Sequence, residues 1–343
     1  MVSIVIPHYK GKEILLECLD SLYRAIRGKD VEIILVDNAS VDSSIDEAVK
    51  RFPHIKVVKL PVNKGFAGGC NEGIKRASGE FVLILNDDTV HEEDFLQKLV
   101  RRLKEDVKVA AVQPKILSYY DRTSFDYSGA CGGEIDIFGF PFARGRIFDT
   151  IEKDSGQYDK CNKQIFWASG TCMLLRKSVA LEAGLFSERF FAHMEEIDLQ
   201  WRMQLMGYRV EVEPGAVVYH RSGATLSKES PLKKYLNHRN SLLMLIANYN
   251  LPLLIYIYPI RIFLDVVAAL FSLLRWDWGR LVAILRAHVW LISHPLFIFY
   301  SRKKVKSIRK VKDRDITRFM LKFPIPLLYY LLGKKYYHQI KKV

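Results

Sequence analysis

The chain has 343 residues, 49% hydrophobic and 26% charged, with a formal net charge of +14. That composition excludes a disordered or collagen-like chain and suggests about two folding units. Residues 231–343 hold 21 of the 52 Lys+Arg but only 4 of the 38 Asp+Glu, a net +17 against −3 for residues 1–230. This basic third is also the most apolar, and it has no uninterrupted groove-reading pattern. A membrane surface with anionic lipid is therefore the expected partner, and nucleic acid is not.

From the N-terminus, short apolar runs alternate with amphipathic stretches: Val2–Ile6, Ile14–Ile26, Val31–Val36, Ile45–Phe52, Ile55–Leu60, Phe66–Ala77 and Phe81–Leu85. Alternation of strand and helix predicts an α/β fold with a mainly parallel sheet covered on both faces. Ligands bind such sheets beyond the carboxyl ends of the strands, and polar clusters follow three of those ends: Pro7-His8-Tyr9, Asp37-Asn38-Ala39-Ser40 and Asn86-Asp87-Asp88. Residues 117–164 are aromatic and glycine-rich, which predicts loops and short hairpins, and acceptor specificity is expected there. Periodicity returns with Ile165–Ser169, Met173–Arg176, a helix near Ile197–Met206 and two strands, Tyr208–Val212 and Ala216–His220. The five cysteines are far apart and odd in number, as expected of reduced thiols. The opening MVSIVIPHYKG has no secretory leader, so a cytoplasmic catalytic part is expected.

Asn86-Asp87-Asp88 follows a strand, where one or two carboxylates suffice for a divalent cation that also takes substrate phosphates. The competing reading is a helix N-cap at Asp88-Thr89 followed by acidic first-turn residues. Asp37 could accept the imide N–H of a pyrimidine or simply hold a turn. In the segment Asn63 to Asn71, Lys64 and a helix N-terminus favour an anion, although close helix packing would explain the glycines equally. Glu195, Glu196 and Asp198 crowd the start of a helix, which caps it or raises a pKa toward that of a general base. His220 closes a strand as a metal ligand or a structural histidine.

In order, VSIVIPHYKG, VDNAS, NKGFAGGCNEG, LNDDT, ASGTCMLLRKS, EEIDLQWR and VVYHRSGAT resemble the inverting family 2 glycosyltransferases of GT-A fold, especially their bacterial rhamnosyltransferase-like branch. The resemblance covers about residues 1–240, with residues 1–230 as the catalytic domain. It implies that Pro7, His8, Tyr9, Asp37 and Asn38 hold the nucleoside of a dTDP or UDP sugar, with Lys64, Gly65 and Asn71 lining its pocket and Asn86 and Asp87 beside the diphosphate. Asp88 and His220 would carry Mn²⁺ or Mg²⁺, with Asn86 standing where the family often has Asp. Glu196 would be the general base, with Asp198 as the alternative. Trp167, Ser169 and Gly170 would form the region beneath the acceptor, and Glu195 would bind it. A sugar nucleotidylyltransferase would need a basic glycine-rich loop after the first strand, which Pro7 to Gly11 does not supply; a membrane-docked scaffold with a relic transferase domain is favoured only by Asn86.

Residues 231–343 are expected to form amphipathic helices. Ser241–Ile260 is about long enough to span a bilayer, but Asn248, Asn250, Pro252 and Pro259 break it. Arg261, Arg275, Trp276, Trp278, Arg280, Arg286 and Trp290 are spaced as in helices lying in the interface, and residues 302–312 add a polybasic run. Monotopic attachment to the cytoplasmic leaflet follows as an expectation, and with the family it suggests a polyprenyl-diphosphate-linked glycan acceptor.

Overall fold

The computed structural model describes residues 1–222 and 230–341. The end of the VVYHRSGAT segment, residues 223–225, lies outside them. One mixed sheet organises the chain: β1 (Val2–His8), β2 (Val31–Asp37), β3 (Lys56–Lys59), β4 (Phe81–Leu85), β5 (Thr89–His91), β6 (Val109–Ser118), β11 (Gln164–Ile165), β12 (Cys172–Arg176) and β13 (Arg209–His220). Its order is β11-β13-β6-β12-β4-β1-β2-β3, with β5 paired to β13. The β1–β4 half is parallel, whereas β12 runs antiparallel to β4 and β6. Between β6 and β11 the aromatic segment forms a second sheet of β7 (Gly133–Ile135), β8 (Pro141–Ala143), β9 (Arg146–Ile147) and β10 (Thr150–Ile151).

Strand side chains alternate between faces, and both faces are apolar, which is why these runs read as continuous. Ile4, Ile6, Ile33, Leu35, Leu83 and Leu85 pack on α1 (Lys12–Ala25), α2 (Ser44–Arg51) and α4 (Phe95–Glu105). Val5, Ile34, Val36, Val82 and Ile84 pack on the other side against α3 (Gly65–Arg76), α5 (Lys177–Glu182) and α6 (Glu195–Leu205). The glycines of α3 serve this packing: a Cβ at Gly73 would stand 2.2 Å from Val5 Cγ1, and one at Gly69 would stand 3.1 Å from Pro7 Cβ.

Three elements depart from the sequence expectation. Strand β6 was not among the predicted runs because Gln113, Pro114 and Lys115 interrupt it. In the fold those polar groups are satisfied, Gln113 by Ser169 N at 2.8 Å and Lys115 by Asp154 and Asp159 at 2.8 and 2.6 Å. The two strands expected over 208–220 are one strand, β13, with a bulge between Glu213 and Val217. Of Ile165–Ser169 only the first residue is strand.

The tail consists of α7 (Pro231–Asn248), α8 (Leu251–Leu274), α9 (Trp278–Ser293), α10 (Pro295–Ile308), α11 (Asp313–Thr317) and α12 (Ile325–Tyr330). The run Ser241–Ile260 is divided: its first part ends α7 and its second opens α8. Leu242 to Ala247 are buried with Phe166, Trp167, Trp201 and Leu205, so α7 shares a core with the sheet unit across the composition shift at residue 230. Helix α8 is 24 residues long with mean hydropathy 2.0, long and apolar enough to cross a membrane, while α9 and α10 meet at a 77° bend. Arg261, expected among the outward-facing arginines, points inward; it donates to Phe138 O at 2.7 Å and pairs with Asp265 at 3.2 Å. The polybasic run is likewise partly internal. Arg302 bonds Ile246 O, Arg309 bonds Asn248 O and Asp313, Lys304 bonds Gly184 O and Lys310 pairs with Glu182. Arg302 and Arg309 brace the tail internally, Lys304 and Lys310 fasten it to the sheet unit, and Lys303, Lys306 and Lys312 are left outward.

Candidate active site

The site assembles where β1, β2, β4 and β13 end. After β4 the chain does not enter a helix: Thr89–His91 is strand β5 and α4 begins only at Phe95, so the N-cap reading of Asp88 is excluded. Asp88 instead turns inward, 6% exposed, against His220 at the end of β13. Asp88 Oδ1 and His220 Nε2 face each other at 3.1 Å, but not along a hydrogen-bond direction, and neither atom has a hydrogen-bond partner. The other ring nitrogen, Nδ1, is 2.8 Å from Asp126 Oδ1, which also accepts from Ser222 Oγ at 3.0 Å. Burial opposes a charge on His220, but Asp88 and Asp126 outweigh it and push the imidazole up to about 10. The two carboxylates make this point of the site favourable to positive charge. Once His220 gives up its proton, Nε2 and Asp88 Oδ1, about 3 Å apart, would suit adjacent positions on one divalent ion, with the remaining positions left for water and phosphate oxygens. Among the described residues no cluster of three or more such side chains exists that could hold a metal without substrate.

Asp126 was not legible as a site residue. It lies in the aromatic segment 94 residues before His220, and nothing in Thr123-Ser124-Phe125-Asp126 marks it.

Several residues assigned to the nucleotide act through the backbone. His8, the last residue of β1, is buried between Asp87 (Nδ1 to Oδ2, 2.5 Å) and Ser44 (Nε2 to Oγ, 2.7 Å), so its ring organises Asp87 and is not open to a base. Burial raises the Asp87 carboxyl while His8 opposes that. Asp37 accepts from Ser40 N at 2.8 Å, the turn reading, yet its carboxylate is half-exposed. Asn38 is buried and clamps the next loop, donating to Gly65 O at 3.0 Å and accepting from Lys64 N at 2.8 Å. The Asn71 side chain is taken up by the backbone of Phe186, its Oδ1 accepting from N at 3.0 Å and its Nδ2 donating to O at 2.9 Å. Lys64 pairs with Glu72 at 3.3 Å, a carboxylate it shares with Lys75 and Arg76. Pro7 and Tyr9 are half-buried at the end of β1, and Asn86 beside them is held through Asn86 N to Thr171 O at 2.9 Å.

Gly65 carries the contact that joins the two halves of the site. Its φ is +69°, and a Cβ there would stand 2.4 Å from Phe191 O, the carbonyl that accepts from Ala67 N at 3.2 Å. The turn that follows is strained. Phe191, His193 and Met194 have φ of 63°, 68° and 71°, a conformation that costs about 1–3 kcal/mol per non-glycine residue and clusters at functional sites. This turn presents Glu195 and Glu196 at the start of α6. Glu195 is buried, and burial followed by Glu196 holds its carboxyl well above the usual range. Glu196 is half-buried with Oε2 unpartnered, and burial pushes it up to about 7.

Asp198 is occupied by its partners. It accepts from Arg202 at 2.8 and 3.1 Å and from Asn248 at 2.8 Å, and it is buried. Trp167 and Ser169 bond inward. The Trp167 indole donates to Glu134 O at 2.9 Å, Ser169 Oγ donates to Thr171 Oγ1 at 3.1 Å, and both are buried, so they support the site from beneath. A Cβ at Gly170 would touch the Phe66 ring at 3.0 Å. Gln200, on the turn of α6 after Glu196, holds this strap through Ala168 N and O at 2.6 and 2.7 Å.

Comparison with known proteins decides the family. Residues 3–183 match the profile of glycosyl transferase family 2. The chain belongs to that family. It is 24% identical over 232 residues to an N-acetylglucosaminyl-diphospho-decaprenol L-rhamnosyltransferase of Mycobacterium tuberculosis, covering 63% of this chain and 75% of that protein. It is 26% identical over 222 residues to a poly-beta-1,6-N-acetyl-D-glucosamine synthase of Staphylococcus epidermidis, covering 64% of this chain and only 49% of the synthase. Among solved structures, GalNAc-T7 with UDP, GalNAc and Mn²⁺ superposes with TM-score 0.57 at 16% identity, over 72% of this chain and 48% of that one. The mannosyltransferase PcManGT from Pyrobaculum calidifontis, with GDP-Man and Mn²⁺, superposes with TM-score 0.51 at 16% identity, over 97% of this chain and 88% of that one. These likenesses show the GT-A fold. This family 2 chain is a glycosyltransferase.

Proposed function

We propose that this glycosyltransferase moves a sugar, L-rhamnose from dTDP-rhamnose as first choice and a UDP-hexose as the alternative, to a hydroxyl of a polyprenyl-diphosphate-linked glycan in surface polysaccharide assembly. The observation that carries the reading is the buried pair Asp88 Oδ1 and His220 Nε2, 3.1 Å apart at the strand ends with no hydrogen bond to any other group. The named substrate of the mycobacterial relative supports the choice of sugar and lipid acceptor. Asp88 and His220 would hold Mn²⁺ or Mg²⁺, which when bound acts as a Lewis acid toward the leaving diphosphate. Glu196 Oε2 takes the acceptor hydroxyl proton as that oxygen bonds to the anomeric carbon and the bond to the nucleoside diphosphate breaks on the opposite face, inverting configuration. Asp37 receives the nucleoside, with Pro7 and Tyr9 beside it.

The test is the melting temperature of the full-length protein with dTDP, UDP or GDP, each with Mn²⁺ and with EDTA. A rise with dTDP that EDTA abolishes is expected, since a ligand of the folded state stabilises it; a rise with GDP alone would overturn the donor choice. Asp126 supports the metal through His220, so Asp126→Asn is expected to weaken Mn²⁺ binding about 10–100-fold, read by the electron spin resonance of free Mn²⁺. Unchanged affinity would sever Asp126 from the metal.

The exposed apolar residues of the tail support attachment to a membrane surface, proposed here as the cytoplasmic one. Ile255, Phe263, Leu274, Trp276, Ile292 and Leu296 are between 64% and 80% exposed, an apolar surface far from single-residue scatter. Helix α8 buries Leu254, Ile257, Arg261 and Leu264 against the protein along one side, which favours lying in the interface over crossing it. Sedimentation with phosphatidylcholine–phosphatidylglycerol vesicles is expected to persist at high salt; release by salt alone would refute apolar insertion.

A further inference from the structure

The strained turn before Glu196 is held from an unexpected direction. Arg239 and Asn240 lie on α7, in the tail, among apolar neighbours such as Leu236, Leu242 and Leu243. Asn240 is fully buried, and its Nδ2 donates to Phe190 O at 3.0 Å, Ala192 O at 3.0 Å and His193 O at 2.7 Å. Its Oδ1 accepts from Arg239 Nε and Nη2 at 2.8 and 2.7 Å. Arg239 Nη2 also donates to Arg189 O at 2.6 Å and Phe190 O at 3.2 Å. The Arg239 guanidinium stands over the Trp290 ring of α9 at 5.1 Å. On its other side the same turn touches the nucleotide loop through Phe191 O and Ala67 N.

A backbone with left-handed φ at Phe191, His193 and Met194 persists only where its surroundings over-determine it. The carbonyls of residues 189, 190, 192 and 193 are fixed by two side chains of α7, and a buried amide whose Nδ2 is aimed at one turn while Arg239 holds its Oδ1 specifies that turn's shape. We propose that Arg239 and Asn240 are positioning residues for the catalytic base, holding the 191–194 turn so that Glu196 meets the acceptor and tying its placement to the tail helices. The proposal rests on Glu196 being that base. If the clamp is loosened, the turn relaxes toward ordinary φ and the start of α6 shifts, while Asp88, His220 and Asp37, on the sheet ends, stay in place.

The test uses the full-length protein as Asn240→Ala, as the milder Arg239→Lys, and as Glu196→Gln in parallel. Turnover of dTDP-L-rhamnose, or of UDP-N-acetylglucosamine if UDP is the nucleotide that stabilises the protein, is followed with pH. In Asn240→Ala, kcat is expected to fall about 10²-fold, with donor KM and the nucleotide-dependent melting shift retained. Its acidic limb should move down from about 7 toward the ordinary 4.5 as water reaches a displaced Glu196. Arg239→Lys should show a smaller loss in the same direction. Unchanged kcat and acidic limb in both variants would overturn the proposal, as would a parallel loss of the nucleotide shift and turnover, the mark of residues that merely hold the fold. Turnover surviving in Glu196→Gln would overturn the base assignment itself.

Discussion

Glu196→Gln is expected to lose about 10²–10⁴ in kcat, the usual contribution of a positioned general base, while keeping the nucleotide-dependent melting shift. The amide fills the same space but cannot take a proton. In the wild type the carboxylate form is the active one, so kcat should rise with pH and level off above about 7, where burial has placed this group. The same burial sets the sign of its effect on stability. A carboxyl raised in the folded state from 4.5 to about 7 favours the protonated form, so this group's contribution to stability is full below 4.5 and is lost as pH rises through 7. Glu196→Gln removes that loss, and the variant should therefore melt higher than the wild type at pH 8 while being nearly inactive. Calorimetry and steady-state rates on one preparation measure both. A variant that is active, or that melts lower at pH 8 than at pH 5 by as much as the wild type does, would show that the base lies elsewhere.

Asp88→Ala should abolish the Mn²⁺-dependent part of nucleotide binding. At a hundredfold excess of ligand over Kd, binding stabilises the folded state by about 2.7 kcal/mol, and that whole increment is expected to vanish in the variant. Turnover should go with it, because the developing charge on the diphosphate would lose its counter-charge. His220 would remain oriented by Asp126 at 2.8 Å, so one donor without its neighbour is what the experiment probes. A full Mn²⁺-dependent shift in Asp88→Ala would move the metal to Asp87, whose Oδ2 now faces His8 at 2.5 Å.

The sequence by itself determined the alternation that forms the parallel half of the sheet, because Val2–Ile6, Val31–Val36 and Phe81–Leu85 are apolar on both faces and must be covered on both. It also placed Asp37, Asn86-Asp87-Asp88 and Glu195-Glu196 at element ends, where turn and cap chemistry is local and legible. Choices between readings of one residue were not local. Asp88 reads as an N-cap or a ligand from its neighbours alone; β5 and the approach of His220, 132 positions later, decide it. Glu196 and Asp198 are equivalent in sequence until Arg202 and Asn248 take up the latter. Asp126, Arg239 and Asn240 gave no signal, since a lone polar residue acquires its role only from the distant group it faces. The tail's composition pointed to lipid, but composition does not record direction, and packing turned Arg261, Arg302 and Arg309 inward. Which charges meet water, lipid or a buried carbonyl is fixed by tertiary burial, because the cost of an unpaired buried charge exists only once the chain has folded around it.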